Sequence, residues 1–356
     1  MLFLTLVFLL PSLTFSRYHR FQYYPRSIQC HCVAPTLCSD DDVEMNGYGL
    51  LNPRVGKQRC PNPTDVCCDK PSDSPQSNPH EELPPCGYST TKLNSRIVSK
   101  TTASFGELPW NLIIQEIAKD EGNIYKCGAA LIHPKVATTV AHCVFAYSEQ
   151  PEKLLVRAGE WNVDSEDEPL PLQEKNVEEI LINESYNPRT LQNDIALVVL
   201  AENFELRDNV RVVCLSTPYD MIVENGCVAS GWGKDAHDSG KYSPILKKVQ
   251  VPIVSREYCL RMLRGTKLGP RFQLHKSFIC AGGQKGKDSC KGDGGSPLIC
   301  PLLENQERFV QIGIVSWGVG CGNEGVPGIY VNVPYHLDWI EGELNERELD
   351  TAYFTI

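Results

Sequence analysis

The hydrophobic and polar positions change their period along the chain, and the changes mark out its parts. Residues 1–16 form one apolar block, running from Leu2-Phe3-Leu4 to Thr14-Phe15-Ser16. The block is shorter than the roughly 20 apolar residues a helix needs to cross a bilayer. It ends in small residues, so the pattern predicts a signal peptide over 1–16, cut after Ser16. Residues 69–96 show no hydrophobic period. Pro71, Pro75, Pro79, Pro84 and Pro85 stand among Ser, Asp and Asn there, which predicts an extended, exposed linker. From Ile97 onward, short β-rich runs such as Trp110-Asn111-Leu112-Ile113-Ile114 and Phe309 to Val315 alternate with turns, which predicts an all-β domain. Between Tyr335 and about Leu344 the period changes again. Leu337, Ile340 and Leu344 recur every three to four residues, so one C-terminal helix is predicted, with 345–356 left as a tail.

At 356 residues the chain has room for one large domain and one small module. Its formal net charge of −10 argues against nucleic acid and anionic membrane surfaces as partners. No second segment is apolar enough for a membrane span. Sixteen cysteines behind an export signal predict disulfides rather than reduced thiols. Six of them, Cys30, Cys32, Cys38, Cys60, Cys67 and Cys68, cluster in residues 30–68. A module of that size buries too little apolar surface to fold without staples. Zinc is the competing reading of Cys30-His31-Cys32 with Cys67-Cys68. Adjacent cysteines make a poor tetrahedral set, which leaves His31 an ordinary surface histidine.

The chemistry concentrates in three short blocks. Thr139-Val140-Ala141-His142-Cys143 comes first, then Asn193-Asp194-Ile195-Ala196-Leu197, then Asp288-Ser289-Cys290-Lys291-Gly292-Asp293-Gly294-Gly295-Ser296-Pro297. With Ser316-Trp317-Gly318, they resemble in order the histidine, aspartate and nucleophile blocks of chymotrypsin-like serine proteases. The resemblance implies two six-stranded antiparallel barrels, residues 97–344, with a C-terminal helix. It makes His142 the general base and Asp194 the buried carboxylate. The nucleophile's place, however, holds Gly294, and a hydrogen atom cannot attack a carbonyl. Ser296 lies two residues on, where the family has glycine and the backbone is expected to tolerate positive φ. A shift of two residues moves the side chain several ångströms, outside the roughly 2.6–3.2 Å that proton transfer to His142 requires. The amides of Gly292 and Gly294 keep the place of an oxyanion hole.

The cysteine cluster followed by this domain resembles the clip-domain serine proteases of arthropods and their non-catalytic homologues. That resemblance implies the clip bridges Cys30–Cys67, Cys32–Cys60 and Cys38–Cys68. It also implies Cys86–Cys214, Cys127–Cys143, Cys227–Cys300, Cys259–Cys280 and Cys290–Cys321, which leaves no cysteine free. Arg96-Ile97 resembles the activation bond, whose new amine would pair with Asp293, although Ser99-Lys100 stands where the family has two glycines. Arg54-Val55 offers a second bond of trypsin type. Asp288, with Gly318 and Gly328, resembles a pocket selective for Arg or Lys. The acidic loop at Glu160, Asn162, Asp164 and Glu168 resembles a calcium loop, with a solvated acidic loop as the alternative. No other cofactor is implied. Asn183-Glu184-Ser185 is a sequon, so glycosylation is expected at Asn183.

The function implied is that of a secreted serine protease homologue, extracellular and in haemolymph if the source is an arthropod. It would act as a cofactor or regulator in a protease cascade. Its partners would be prophenoloxidase and an activating clip-domain protease, in melanisation and innate immunity. Two alternatives remain open on the sequence. One is an adhesion or microbial-recognition protein that uses the folded surface alone. The other is an active trypsin-like endopeptidase with a displaced nucleophile.

Overall fold

The computed structural model describes residues 31–33, 66–68, 85–89, 101–118, 122–165, 168–215, 221–234, 242–285 and 292–356. The chain divides into two units, Met1–Glu81 and Glu82–Ile356. In the first, β1 (His31–Val33) pairs antiparallel with β2 (Val66–Cys68), His31 opposite Cys68 and Val33 opposite Val66. The side chains of these strands, the three clip bridges, the signal peptide, Arg54-Val55, the linker and Arg96-Ile97 lie outside the described residues.

The second unit is built of antiparallel strands. β3 (Asn111–Glu116), β4 (Ile124–His133), β5 (Val136–Thr139), β6 (Leu154–Ala158), β7 (Gln173–Ile182) and β8 (Ala196–Leu200) close a barrel in the order β3-β4-β5-β8-β7-β6. A second sheet follows, made of β9 (Val228–Gly231), β10 (Lys247–Gln250), β11 (Ile253–Val254), β12 (Phe278–Gly282), β13 (Pro297–Pro301), β14 (Phe309–Trp317) and β15 (Pro327–Asn332). Its order is β10-β9-β13-β14-β15-β12-β11. The two edge strands are consecutive pieces of one extended segment. β10 pairs with β9, and β11, just beyond Pro252, pairs with β12. Proline has no amide hydrogen and cannot continue a ladder, so the strand bends there. On the way, Val251 N donates to Cys227 O at 2.9 Å and Gly282 N donates to Pro252 O at 2.9 Å. Counted as one bent strand, this segment brings the sheet back on itself as a second six-stranded barrel.

The apolar runs read from the sequence are buried on both strand faces. Leu112, Ile113 and Ile114 of β3 are fully buried, and so are Val310 and Ile314 of β14. One face of each fills a barrel and the other meets its neighbour, so alternation is lost and a continuous apolar run replaces it. The helices are α1 (Ala141–Val144), α2 (Arg256–Arg264) and α3 (Leu337–Glu346). The sequence reading placed only the last. α2 was legible in principle: Ser255 caps it by accepting from Tyr258 N, and Cys259 and Leu263, four apart, form its buried stripe.

The expected tail is instead part of the packed domain. Phe354 is 1% exposed, and its carbonyl accepts from Leu215 N at 2.9 Å. The Tyr353 ring meets His133 edge-on at 4.6 Å. Arg347 forks onto both oxygens of Glu179 in β7 at 2.8 Å each, which ties the end of α3 to the first barrel. The residues beyond Leu344 carry too few apolar positions to show a period, so their docking left no pattern to read. Burial holds His133 and His336 down to about 4, so both are neutral packing groups near neutral pH.

Truncating a buried phenylalanine costs about 3–5 kcal/mol. Phe354→Ala is therefore expected to lower thermal stability by many degrees, and deletion from Leu349 onward to lower it further. Differential scanning calorimetry of the purified chain is the check, and an unchanged melting temperature would show that the segment is a free tail.

Candidate functional site

The site is built on two short loops that meet between the barrels. After β5 the chain turns directly into α1, which places His142 at its second residue, a third exposed at the side chain. Before β8, Asn193 takes φ 55°, a left-handed conformation that asparagine tolerates better than most residues. Its backbone amide donates to Ser277 Oγ at 3.0 Å and its side chain donates to Ser185 O at 2.8 Å. That turn drives Asp194 inward to zero exposure.

The Asp194 carboxylate accepts three hydrogen bonds. His142 Nδ1 lies 2.7 Å from Oδ2, His142 N donates to Oδ1 at 2.9 Å, and Ser316 Oγ donates to Oδ2 at 2.7 Å. The imidazole is thereby fixed with Nε2 facing outward. The same charge, after burial, pushes the Tyr186 hydroxyl above its usual range. In the sequence Ser316 stands only within a supporting tripeptide. Its role depends on β14 reaching across from the second barrel, which no local pattern reports.

Gly294 lies opposite His142. A Cβ placed on it would lie 3.8 Å from His142 Nε2 and 3.7 Å from Cys127 Sγ, ordinary contact distances, and its φ is not left-handed. The backbone thus presents position 294 to the imidazole as an active protease would, with no side chain on it. The loop owes its shape to other groups. Gly292 has φ 102° and Gly295 φ 84°. A Cβ at Gly295 would run into Gly128 O and Thr139 Oγ1. Gly294 O accepts from Gly128 N at 2.9 Å, and Gly292 O accepts from Tyr125 Oη at 2.6 Å. Tyr125, which the sequence alone does not single out, is half-buried there. Burial first, then the charge of Asp293, pushes its hydroxyl far above the usual range, so it stays a donor.

Ser296 is not a displaced nucleophile. It is completely buried, and its Oγ makes no hydrogen bond. A Cβ on Gly128 would collide with that Oγ, and one on Gly231 would come within 3.1 Å of it, so the hydroxyl lies under the strands, apart from His142. The positive φ expected at Ser296 is found at Gly295 instead; the left-handed turn falls one residue earlier. Asp293 turns its carboxylate toward Gly233, whose amide donates to Oδ1 at 2.8 Å. Its expected partner Ile97 lies outside the described residues.

Of the pocket residues, Gly318 follows β14 and Gly328 lies on the neighbouring β15, whereas Asp288 lies outside the described residues. The bridges Cys86–Cys214, Cys127–Cys143, Cys227–Cys300 and Cys259–Cys280 are present. Cys321 is disulfide-bonded, and its expected partner Cys290 lies outside the described residues.

The sequon and the acidic loop both lie in the first barrel's half of the domain. Asn183 is 7% exposed, and its Oδ1 accepts from Ser185 N at 3.1 Å, which holds the sequon in a turn after β7. The acidic loop does not gather three acidic or histidine ligands among the described residues. Glu160 accepts from Arg157 Nη1 at 2.9 Å and from its neighbour Trp161 N at 3.0 Å. Glu168 accepts from Asn162 N at 3.2 Å, and Asn162 Oδ1 accepts from Asp164 N at 3.4 Å. Burial, with the nearby Glu168, pushes the Glu160 carboxyl up. Arg157 and Glu168 thus both meet the Glu160 carboxylate, while Glu166 and Asp167 of the same loop lie outside the described residues.

The buried, unpaired Ser296 hydroxyl costs free energy. Removing such a group is neutral or stabilising by about 1 kcal/mol. Ser296→Ala is expected to keep or raise the melting temperature, whereas Gly128→Ala, which overlaps that hydroxyl, is expected to lower it strongly. Thermal unfolding of the two variants distinguishes this arrangement from one with Ser296 exposed in the cleft, where Ser296→Ala would be indifferent and Gly128→Ala harmless.

Comparison with known proteins agrees with this geometry. A family model described as Trypsin matches residues 97–340, and one described as Serine protease Clip domain PPAF-2 matches residues 19–69. Phenoloxidase-activating factor 2 of Galleria mellonella is 42% identical over 301 residues, covering 81% of this chain and 98% of its own length. Inactive CLIP domain-containing serine protease A28 of Anopheles gambiae is 36% identical over 323 residues, 88% of this chain and 82% of its own. Phenoloxidase-activating factor 1 of Holotrichia diomphalia is 32% identical over 305 residues, 78% and 80% respectively. With a nucleophile loop that ends in Gly294 beside an intact His142–Asp194 pair, this chain belongs to the clip-domain branch of the trypsin family, as a member without the nucleophile.

Proposed function

We infer that this chain is a secreted, non-catalytic cofactor of prophenoloxidase activation, working alongside an active clip-domain protease. The observation that carries the reading is Gly294. It faces His142 Nε2 with no atom to attack a carbonyl, while Asp194, His142 and Ser316 keep the geometry of a protease. Removing the nucleophile from a triad of this kind costs on the order of a million-fold in turnover. A fold held this intact without its chemistry is suited to binding. The names of the relatives, phenoloxidase-activating factors and inactive clip-domain proteases, support the direction of that binding. The export block at residues 1–16 supports an extracellular place.

Regulation then rests on cleavage, since no chemistry can be switched on. Arg54-Val55 and Arg96-Ile97 each follow an arginine, as a trypsin-like protease requires. After a cut at Arg96, the segment around Cys86 stays attached to the domain. Besides the Cys86–Cys214 bridge, Gly87 N donates to Val212 O at 2.8 Å, Phe309 N donates to Gly87 O at 2.8 Å, and Arg308 Nε donates to Cys86 O at 3.1 Å. The cut therefore changes conformation without releasing a fragment.

Reconstitution with purified prophenoloxidase and its activating protease tests the reading. The parent chain is expected to raise phenoloxidase activity, and Arg54→Gln with Arg96→Gln to abolish that effect while the protein stays folded. A parent chain with no effect, or one that binds only microbial surfaces, would overturn the cofactor role. A double variant as effective as the parent would overturn activation by cleavage.

A further inference from the structure

The loss of a side chain at position 294 leaves polar groups without partners. His142 Nδ1 is committed to Asp194, and Nε2 makes no hydrogen bond to any described residue. In an active triad the serine hydroxyl takes that place. Here the nearest atoms to a Cβ built on Gly294 are Cys127 Sγ at 3.7 Å and Nε2 itself at 3.8 Å. The point is therefore open toward the imidazole, which is itself a third exposed. An oxygen lying between that point and the ring comes within hydrogen-bond reach of Nε2, roughly 2.6–3.2 Å. The same loop carries the backbone amides of Gly292 and Gly294. Neither donates to a described residue, although the carbonyls of both glycines are engaged, by Tyr125 and by Gly128. The loop is thus held from its acceptors while its donors stay available.

A group that matches this arrangement has two acceptor oxygens on one trigonal carbon. One oxygen takes the glycine amides, as the oxyanion of acyl transfer would, and the other takes Nε2, which donates when both ring nitrogens carry a proton. A substrate amide carbonyl supplies only the first. A carboxylate supplies both, and its hydrogen bonds are charge-assisted and correspondingly strong. In an active protease the serine Oγ fills the space of the second oxygen and adds a lone pair facing it. Replacing that residue with glycine removes both the bulk and the repulsion. The Asp194 carboxylate stays out of contact, since it is completely buried behind the ring with three donors of its own.

We propose that the cleft between His142 and the Gly292–Gly294 loop is a receptor for a peptide's terminal carboxylate, so that the chain binds the new C-terminus left when another protein is cut. This rests on the reading that the site does not cut. It gives the vacated centre a ligand class that an intact protease centre disfavours. The recognition is non-covalent and consumes nothing. A member of a cleavage cascade with such a site would distinguish a processed partner from its uncut precursor.

The test uses the full-length secreted chain and a fluorescent peptide ending in arginine, prepared as the free acid and as the amide. A third peptide carries an internal glutamate and an amidated end, and acetate serves as competitor. A hydrogen bond to a charged group is worth about 1.5–3 kcal/mol, or roughly tenfold or more in affinity. The acid is expected to bind at least tenfold more tightly than the amide or the internal-glutamate peptide, with acetate competing weakly. Gly294→Ser and Gly294→Ala both fit the backbone and should weaken acid binding by about tenfold while leaving the melting temperature unchanged. His142→Gln should weaken it similarly. Equal binding of acid and amide, no binding of either, or an acid affinity that Gly294→Ser leaves intact would overturn the carboxylate site. Mass spectrometry of each mixture separates the two layers: hydrolysis of the amide or of an internal bond would overturn the non-catalytic reading itself.

Discussion

The buried Asp194 carboxylate is the charge on which the two barrels meet. A carboxylate without solvent exposure must be fully hydrogen-bonded or it destabilises the fold, and Asp194 finds its donors on both sides. His142 supplies two from the helix that follows β5 in the first barrel, and Ser316 supplies the third from β14 in the second. Removing any one donor leaves a buried charge short of partners, a cost of several kcal/mol. The pair is therefore structural as well as chemical. Its geometry survives the loss of the nucleophile because stability holds it in place as firmly as turnover would.

The nucleophile loop is likewise shaped by contacts that do not involve a hydroxyl. Gly292 and Gly295 take left-handed φ values, a side chain at Gly295 would strike Gly128 O and Thr139 Oγ1, and the carbonyls at 292 and 294 are held by Tyr125 and Gly128. None of these contacts senses what sits on position 294. A serine-to-glycine change there removes the reacting atom and leaves its surroundings standing. This decoupling lets a protease fold become a binding module through one residue. The Ser296 hydroxyl does not compensate, because it is sealed beneath β4 and β9 with no partner at all.

What the sequence revealed was whatever a short contiguous block encodes. His142, Asp194 and the empty position 294 were legible because turn and strand residues around them form recognisable tripeptides. The buried strands were legible because both of their faces are apolar. What stayed hidden depends on residues brought together by folding. The acidic run at Glu160 gave no sign of Arg157, three positions before it, which pairs with that carboxylate. The sequon names Asn183, while its hydrogen bonds, Asn183 N to Ile195 O and Ser185 N to Asn183 Oδ1, come from the turn after β7. Tyr125 and Ser316 stand on strands whose pattern says only that they are strands. The last dozen residues looked like a tail because one phenylalanine and two arginine-mediated contacts make no periodic signal.

The central claim is that no side chain of this protein can act as a serine nucleophile. Treatment of the Arg96-cleaved chain with a serine-directed fluorophosphonate, followed by intact-mass and peptide mass spectrometry, tests it most directly. The account predicts an unmodified mass at reagent concentrations that label an active relative to completion. Stoichiometric labelling at Ser296, or at any serine in the cleft, would contradict it.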